Sequence, residues 1–427
     1  MALVPERGGR LNNFQRRQAD AVGSGAYFEE GDFLLARISP SFENGKQGIA
    51  SNVPGGWGVA SSELLALHSD RLSSSYLSFL FRSRSVSDFL KRRMEGATGR
   101  LRVPRAAIED LVVPIPPSEV QEGIQRDLSE MFSRIENGRQ SLLEAATAVN
   151  RYERSLRVAA MTGRLTNADD GDAKGLLEEI EDTRHATAAV IGSKARAPIS
   201  PHPPFPFRLP PTWTWASVDQ LTLRVQYGTS RKAGNDQRGV PVIRMGNIDD
   251  GALKWERLKY FSQDTDELDG LLLTPGDILF NRTNSLELVG KSALVEEFDG
   301  PVTFASYLIR LTVHPAVEPA WLNHWLNSPY ARAWARREAV QQVGQANISG
   351  SKLRGMAVPL PPTPVQRGIC QALEDGFVQT KATRAHLATA AAEADVLQQA
   401  LLTRYLGPGL GRPRSRRVAN PPQSLHV

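Results

Sequence analysis

The densest run of hydrogen-bonding side chains in this sequence is Asn281-Arg282-Thr283-Asn284-Ser285. These are the residue types that read nucleic acid. Arg pairs bidentately with guanine, Asn with adenine, and Ser or Thr with bases or phosphates. Arg282 and Asn284 directly follow a strand-like run ending at Phe280, and a strand end projects side chains from a rigid base. An alternative is that Arg282 braces its loop against Asp277. A second polar, glycine-flanked loop holds Gln342, Gln345, Asn347 and Ser349, and Arg231 and Lys232 follow Gly228-Thr229-Ser230. Lys232 and Lys291 suit phosphates, which a compact ammonium meets as a point charge. The N-terminal half offers counterparts. Arg37, Ser39 and Ser41 lead into Asn44 and Lys46, and Arg100 and Arg102 lie in Gly99-Arg100-Leu101-Arg102.

Reactive chemistry is not legible. Gly290-Lys291-Ser292 looks like the end of a phosphate-binding loop, but that loop needs a glycine where Ser285 stands. Asn420-Pro421-Pro422-Gln423 lacks the aromatic that would stack on a flipped base, and no glycine-rich cofactor loop accompanies it. No H-E-x-x-H or G-x-S-x-G pattern occurs, and the seven histidines are scattered. Asp32 and Asp277 follow glycines just before strand-like runs, which suits turn chemistry better than catalysis. No catalytic residue, metal ligand or cofactor is expected in this chain.

The elements that position the polar loops come as an internal repeat. Gly31-Asp32-Phe33-Leu34 is matched by Gly276-Asp277-Ile278-Leu279, 245 residues later. At the same shift Arg37 meets Arg282, Ala60-Ser61 meets Ala305-Ser306, and Tyr76-Leu77 meets Trp321-Leu322. Val113-Pro114-Ile115-Pro116-Pro117 meets Val358-Pro359-Leu360-Pro361-Pro362, and Gln121 meets Gln366. Each copy begins with short β-rich runs separated by Gly, Asn and Pro turns, followed by helical stretches, and reads as a compact α+β domain. Residues 206–245 have no counterpart in the first copy, so the first domain is expected to be N-terminally short, either naturally or because the sequence starts late.

Each copy ends in one long helix. Ser118 with Gln121, and Thr363 with Gln366, read as S/T-x-x-Q capping boxes. Pro364 falls at the first helical position, where its missing N–H costs nothing. Leu128, Ile135, Leu142, Val149 and Leu156 recur every seventh residue, and Leu373, Leu387 and Leu401 lie on the equivalent line. That is a seam for a partner helix. Each helix would be on the order of 65 Å long at 1.5 Å per residue. The simplest arrangement pairs the two antiparallel, as a rigid coiled-coil spacer.

The expected organisation is therefore a first domain over 1–117, a spacer helix over 118–165, and a linker over 166–205 with a short helix at Gly175–Arg184. A second domain spans 206–362, a second helix 363–406, and a disordered basic tail 407–427. The 427 residues suffice for two or three domains, and 41% hydrophobic with 23% charged is ordinary for a globular protein. The single cysteine, Cys370, excludes an internal disulfide and suits a reducing compartment. Met1 to Arg10 has no apolar run of secretory type, and no uncharged stretch reaches the ~18 residues a membrane span needs. The expected location is cytoplasmic. The net charge of +5 is compatible with nucleic acid but is weak evidence by itself.

These residues carry a resemblance. Gly276 to Ser285, Leu288-Val289-Gly290-Lys291, and Val358-Pro359-Leu360-Pro361-Pro362 with Gln366 resemble the specificity subunits of type I restriction-modification systems. Gly31 to Lys46 resembles another variant of the same target-recognition domain. The resemblance covers nearly the whole chain apart from the tail. It implies a fold of two pseudo-repeated target-recognition domains separated by two long antiparallel helices. It further implies a non-catalytic subunit in which each domain reads one half of a bipartite site in double-stranded DNA. The helices would set the spacing and dock methyltransferase subunits, which carry S-adenosylmethionine, and a translocase-nuclease subunit would join for restriction. Alternatives are an enzyme with attached recognition domains, or an adaptor without modification partners.

Overall fold

The structure is a computed structural model. It describes residues 3–6, 8–11, 13–16, 25–97, 99–165, 171–192, 197–261, 268, 270–342 and 344–407. The expected basic tail beyond Gly407, and 166–170 and 193–196 of the linker, lie outside the described residues. The chain divides into two compact units, Met1–Ala145 with His386–Val427, and Ala146–Ala385.

In the first unit the strands are β1 (Arg10–Leu11), β2 (Gly25–Glu29), β3 (Phe33–Ala36), β4 (Gln47–Ala50), β5 (Trp57–Ser61) and β6 (Leu64–Leu67). Four of them form a sheet in the order β1-β4-β3-β6, while β2 and β5 pair as an antiparallel ribbon. β3 reads Phe-Leu-Leu-Ala and is buried throughout, as a central strand with both faces covered must be. Helices α1 (Ser74–Arg82), α2 (Arg84–Lys91) and α3 (Arg105–Glu109) follow. Ser73 and Ser83 start the first two by accepting the N–H of Tyr76 and Val86. Phe33, Leu77, Leu80 and Phe89 form one core with Leu128, Phe132, Leu402 and Leu406 of the two long helices. Burying each such side chain contributes about 1.5–3 kcal/mol.

The second unit begins in α4 (Ser118–Met161) and continues through α5 (Ala173–Val190), β7 (Thr214–Ser217), β8 (Thr222–Tyr227), β9 (Val240–Ile243), β10 (Ile248–Asp249), β11 (Ala252–Leu253) and β12 (Lys259–Phe261). Then come β13 (Asp277–Asn281), β14 (Thr283–Asn284), β15 (Ser292–Leu294), β16 (Thr303–Phe304), β17 (Leu308–Val313), α6 (Pro319–Leu326) and α7 (Pro329–Glu338). Last are β18 (Val340–Gln342), β19 (Gln345–Asn347), α8 (Gly350–Arg354), β20 (Ala357–Leu360) and α9 (Thr363–Leu406). The main sheet runs β15-β13-β17-β8; smaller sheets are β12-β9-β16, β14-β19-β18 and β20-β7. α5 contains the expected short linker helix and extends it, capped by Asp172.

The repeat holds at the level of single hydrogen bonds. Asp32 accepts the N–H of Glu29 at 2.8 Å, and Asp277 that of Thr274 at 3.0 Å. Both follow a glycine at φ near +90°, Gly31 and Gly276, where a side chain would be strained. The turn reading of these aspartates stands. Gln121 accepts the N–H of Ser73 and donates to Pro116 O; Gln366 accepts the N–H of Glu318 and donates to Pro361 O. This corrects the capping boxes. The glutamines do not reach back to Ser118 and Thr363 but are buried ties that satisfy backbone groups of a loop and of the Pro-Pro turn.

The surplus in the second copy is β7, β8 and the segment after them. β7 pairs with β20, burying Val358 and Leu360. The matching segment of the first unit forms no strand, and its Val112 and Ile115 are 45% and 38% exposed.

α4 and α9 have 44 residues each, close to the expected spans. Within each unit their stretches pair antiparallel. In the first, Arg139 contacts Asp395 and Gln398, and Asp127 accepts from Tyr405 at 3.1 Å. In the second, Arg384 grips Glu153 at 2.7 and 2.8 Å, Arg157 covers the ring of Phe377 at 4.3 Å, and a Cβ on Gly376 would collide with Leu156. The seam is more polar than its heptads suggest. Leu128 and Leu373 are buried, whereas Ile135, Leu142, Val149, Leu156, Leu387 and Leu401 are half-buried.

Candidate nucleic-acid interface

In the second unit β13 carries the chain to Arg282, and the next two residues pair with the second polar loop. Thr283 lies opposite Asn347 and Asn284 opposite Ala346, in the sheet β14-β19-β18. Ile348 donates its N–H to Arg282 O at 2.9 Å, and Arg282 its own to Tyr307 O at 3.0 Å. Two loops distant in sequence are thus one surface at the end of the main sheet. Gln345, Asn347 and Ser285 are exposed there, Asn284 is half-buried, and Arg231 and Lys232 are exposed beyond the end of β8.

Arg282 does not brace Asp277. That carboxylate is taken by Thr274, Thr312 and the buried Arg310. Arg282 instead lies with its guanidinium carbon 4.8 Å from the ring centroid of Tyr227. Tyr227 and Tyr307 are 45% and 46% exposed beside it. Neither was singled out from the sequence; the available signal was an aromatic directly before Gly228-Thr229-Ser230.

Asn281 and Thr283 are corrections. Both side chains are buried, because alternate residues of a strand face opposite sides and theirs turn inward. The Asn281 amide has no hydrogen-bond partner among the described residues, and Ala36 occupies the same place in the first unit. Lys291 is half-buried and donates to Asp249 at 3.1 Å; Lys254 joins the same carboxylate at 2.5 Å. The two ammoniums hold the Asp249 carboxyl below its ordinary range. Arg332 reaches from α7 to Val289 O and Glu287 O, both at 2.6 Å, and fastens the loop after Ser285.

The first unit joins its two loops by the same bond. Val103 donates its N–H to Arg37 O at 2.8 Å, and Ser39 its own to Leu101 O at 2.8 Å. The side chains differ. Arg102 is bidentate on Glu63, with contacts of 2.9 and 2.7 Å, and its hydrogen bond holds the Glu63 carboxyl low. Arg37 adds its charge to the same carboxylate, and its buried Nε has no partner among the described residues. Ser39 donates to Glu43 at 2.5 Å. Ser41 and Lys46 are half-buried and joined by a backbone bond, while Asn44 and Arg100 are exposed. The loop carrying Asn44 borders a cleft of about 1010 Å³, lined also by Phe42, Arg84, Lys91, Asp395 and Gln399.

Among the described residues no group of His, Cys, Asp and Glu is placed to hold a metal ion, and no helix is long and apolar enough to cross a membrane.

What these parts define is a twofold-repeated α+β scaffold, each copy presenting an Arg-centred polar surface and packing on antiparallel helix stretches. No protein-family model matches the chain. The EcoEI type I restriction enzyme specificity subunit of Escherichia coli is 24% identical over 410 residues, spanning 82% of this chain and 68% of that protein. The EcoAI specificity subunit of the same organism is 23% identical over 458 residues, spanning 93% and 77%. A solved chain from work on complex assembly and conformational transition of the type I R-M system aligns over 94% of this chain and 88% of its own, with a TM-score of 0.70 at 18% identity. The HsdS subunit from Thermoanaerobacter tengcongensis aligns over 95% and 89%, with a TM-score of 0.53 at 18% identity. Over most of its length the chain is thus similar to specificity subunits of type I restriction-modification systems.

Proposed function

We propose that this chain reads a bipartite site in double-stranded DNA, one half with each domain, and confers that choice on a modification and restriction complex. Arg282, Asn284, Ser285, Gln345 and Asn347 read bases in the second domain, with Arg231, Lys232 and Lys291 on phosphates. Arg37, Ser39, Ser41, Asn44, Lys46, Arg100 and Arg102 serve the first domain. The two long helices set the distance between half-sites and dock methyltransferase subunits, which supply S-adenosylmethionine, and a restriction-translocase subunit. The chain itself is non-catalytic.

The observation that carries this reading is the strand pairing of β14 with β19, which brings the two polar loops into one face beside Arg282. Base readout requires donors and acceptors on a rigid support, and this pairing supplies one. Coexpression with candidate methyltransferase subunits, followed by mapping of methylated adenines in genomic DNA, tests it. The expected result is one asymmetric, two-part motif with a fixed spacer. DNA methylation by the purified chain with S-adenosylmethionine alone would overturn the non-catalytic assignment.

A further inference from the structure

We propose that Tyr227 is a positioning residue that sets the plane of the Arg282 guanidinium for base reading, an inference that rests on the DNA-reading proposal above. The ring is fixed at both ends. Its backbone ends β8, opposite Ile309 of β17, and its hydroxyl accepts the N–H of Gly350 at 2.6 Å. Gly350 has no room to spare on that side: a Cβ there would lie 2.9 Å from the Tyr227 hydroxyl. Above this ring the Arg282 backbone is fixed by its bonds to Tyr307 and Ile348.

Among the described residues, the Arg282 side chain has only long contacts besides the ring, Nε to Ile348 O at 3.4 Å and Nη1 to Ser306 O at 3.5 Å. Such bonds are weak at that length. A carboxylate in the place of the ring would orient the guanidinium too, but would consume the fork of donors that matches guanine. That is the situation of Arg102, whose donors lie on Glu63. An aromatic face orients a guanidinium by stacking and leaves its in-plane N–H groups available. Fewer rotamers are then lost when a base is met, and this preorganisation appears as affinity for the correct base.

The test is selection of binding sites from a randomised duplex pool by the full chain, beside its melting temperature. Parent, Tyr227→Leu, Tyr227→Phe, Arg282→Ala and the Tyr227→Leu/Arg282→Ala double variant are compared. Tyr227→Leu is expected to relax preference about three- to tenfold, at the same base pair that Arg282→Ala relaxes. The double variant should be no more relaxed than Arg282→Ala. Tyr227→Phe keeps the ring and should keep the preference, although it loses the bond to Gly350 and some thermal stability. Tyr227→Leu with parental preference beside a relaxed Arg282→Ala overturns the positioning role and leaves DNA reading intact. Equal loss of preference in Tyr227→Phe and Tyr227→Leu also overturns it, because the hydroxyl and not the ring would then matter. If the parent selects no sequence, or Arg282→Ala matches the parent at every position, the DNA-reading proposal for Arg282 falls and this inference with it.

Discussion

The two domains share a skeleton and differ on the face that it presents. Gln121 and Gln366 tie the same loop to the same turn, and Asp32 and Asp277 close the same bend. Val103 and Ile348 join the polar loops through the same backbone bond. On that common frame Arg282 lies over an aromatic ring, whereas Arg102 is bidentate on Glu63. The loop after Ser285 is fastened by Arg332, whereas the matching loop of the first domain borders an open cleft. Buried polar residues that satisfy backbone groups can hardly vary, since an unpaired buried group costs about 1–3 kcal/mol. Surface residues on the same frame are free to, which suits the proposed task of distinguishing DNA sequences.

If the skeleton is common, damage to it should be equal in the two units. Leu128→Asp and Leu373→Asp each bury a charge in a core and should each lower stability by several kcal/mol, roughly. Leu142→Asp and Leu387→Asp, at half-buried positions, should cost clearly less in thermal denaturation. A Leu142→Asp loss as large as that of Leu128→Asp would contradict the graded seam. Next in size, Gln121→Leu and Gln366→Leu each strand the backbone N–H of Ser73 or Glu318 and should cost about 1–3 kcal/mol. A cost in one unit alone would break the equivalence.

The presented faces should instead respond differently. Glu63→Gln releases Arg102 and part of the field on Arg37, so binding to all DNA sequences should strengthen and its salt dependence steepen by about one to two. An unchanged slope would show that neither arginine lies near phosphates. The smallest effect is expected of Lys291→Ala. It removes one ammonium already shared with Asp249, so the slope should fall by less than about one with base preference unchanged.

Much of this was legible in the sequence because the repeat fixes equivalences without coordinates. The alternation of strand and glycine turn gave β3 and β13, and the Pro-Pro turns placed the starts of α4 and α9. Position along a strand was not legible at Asn281 and Thr283. Their residue types suited base reading, but their inward face is set by the sheet partners, Leu308 opposite Asn281 and Asn347 opposite Thr283. Nor could spacing reveal that Gln121 and Gln366 bond loops 48 residues distant, since a capping box and a tertiary tie share one pattern. Tyr227 was missed for the same reason. Its meeting with Arg282 depends on β8 and β13 both bordering β17.

The central claim is that each domain reads its own half of one DNA site. The most direct measurement maps methylated adenines in cells coexpressing the methyltransferase subunits with either the parent chain or Arg282→Ala. The account predicts that a single base pair loses its preference, in one half-site, by the ~1–3 kcal/mol of discrimination typical of a bidentate contact. The other half-site and the spacer should be unchanged. A motif altered in both halves, or an unaltered motif from a chain of reduced thermal stability, would contradict it.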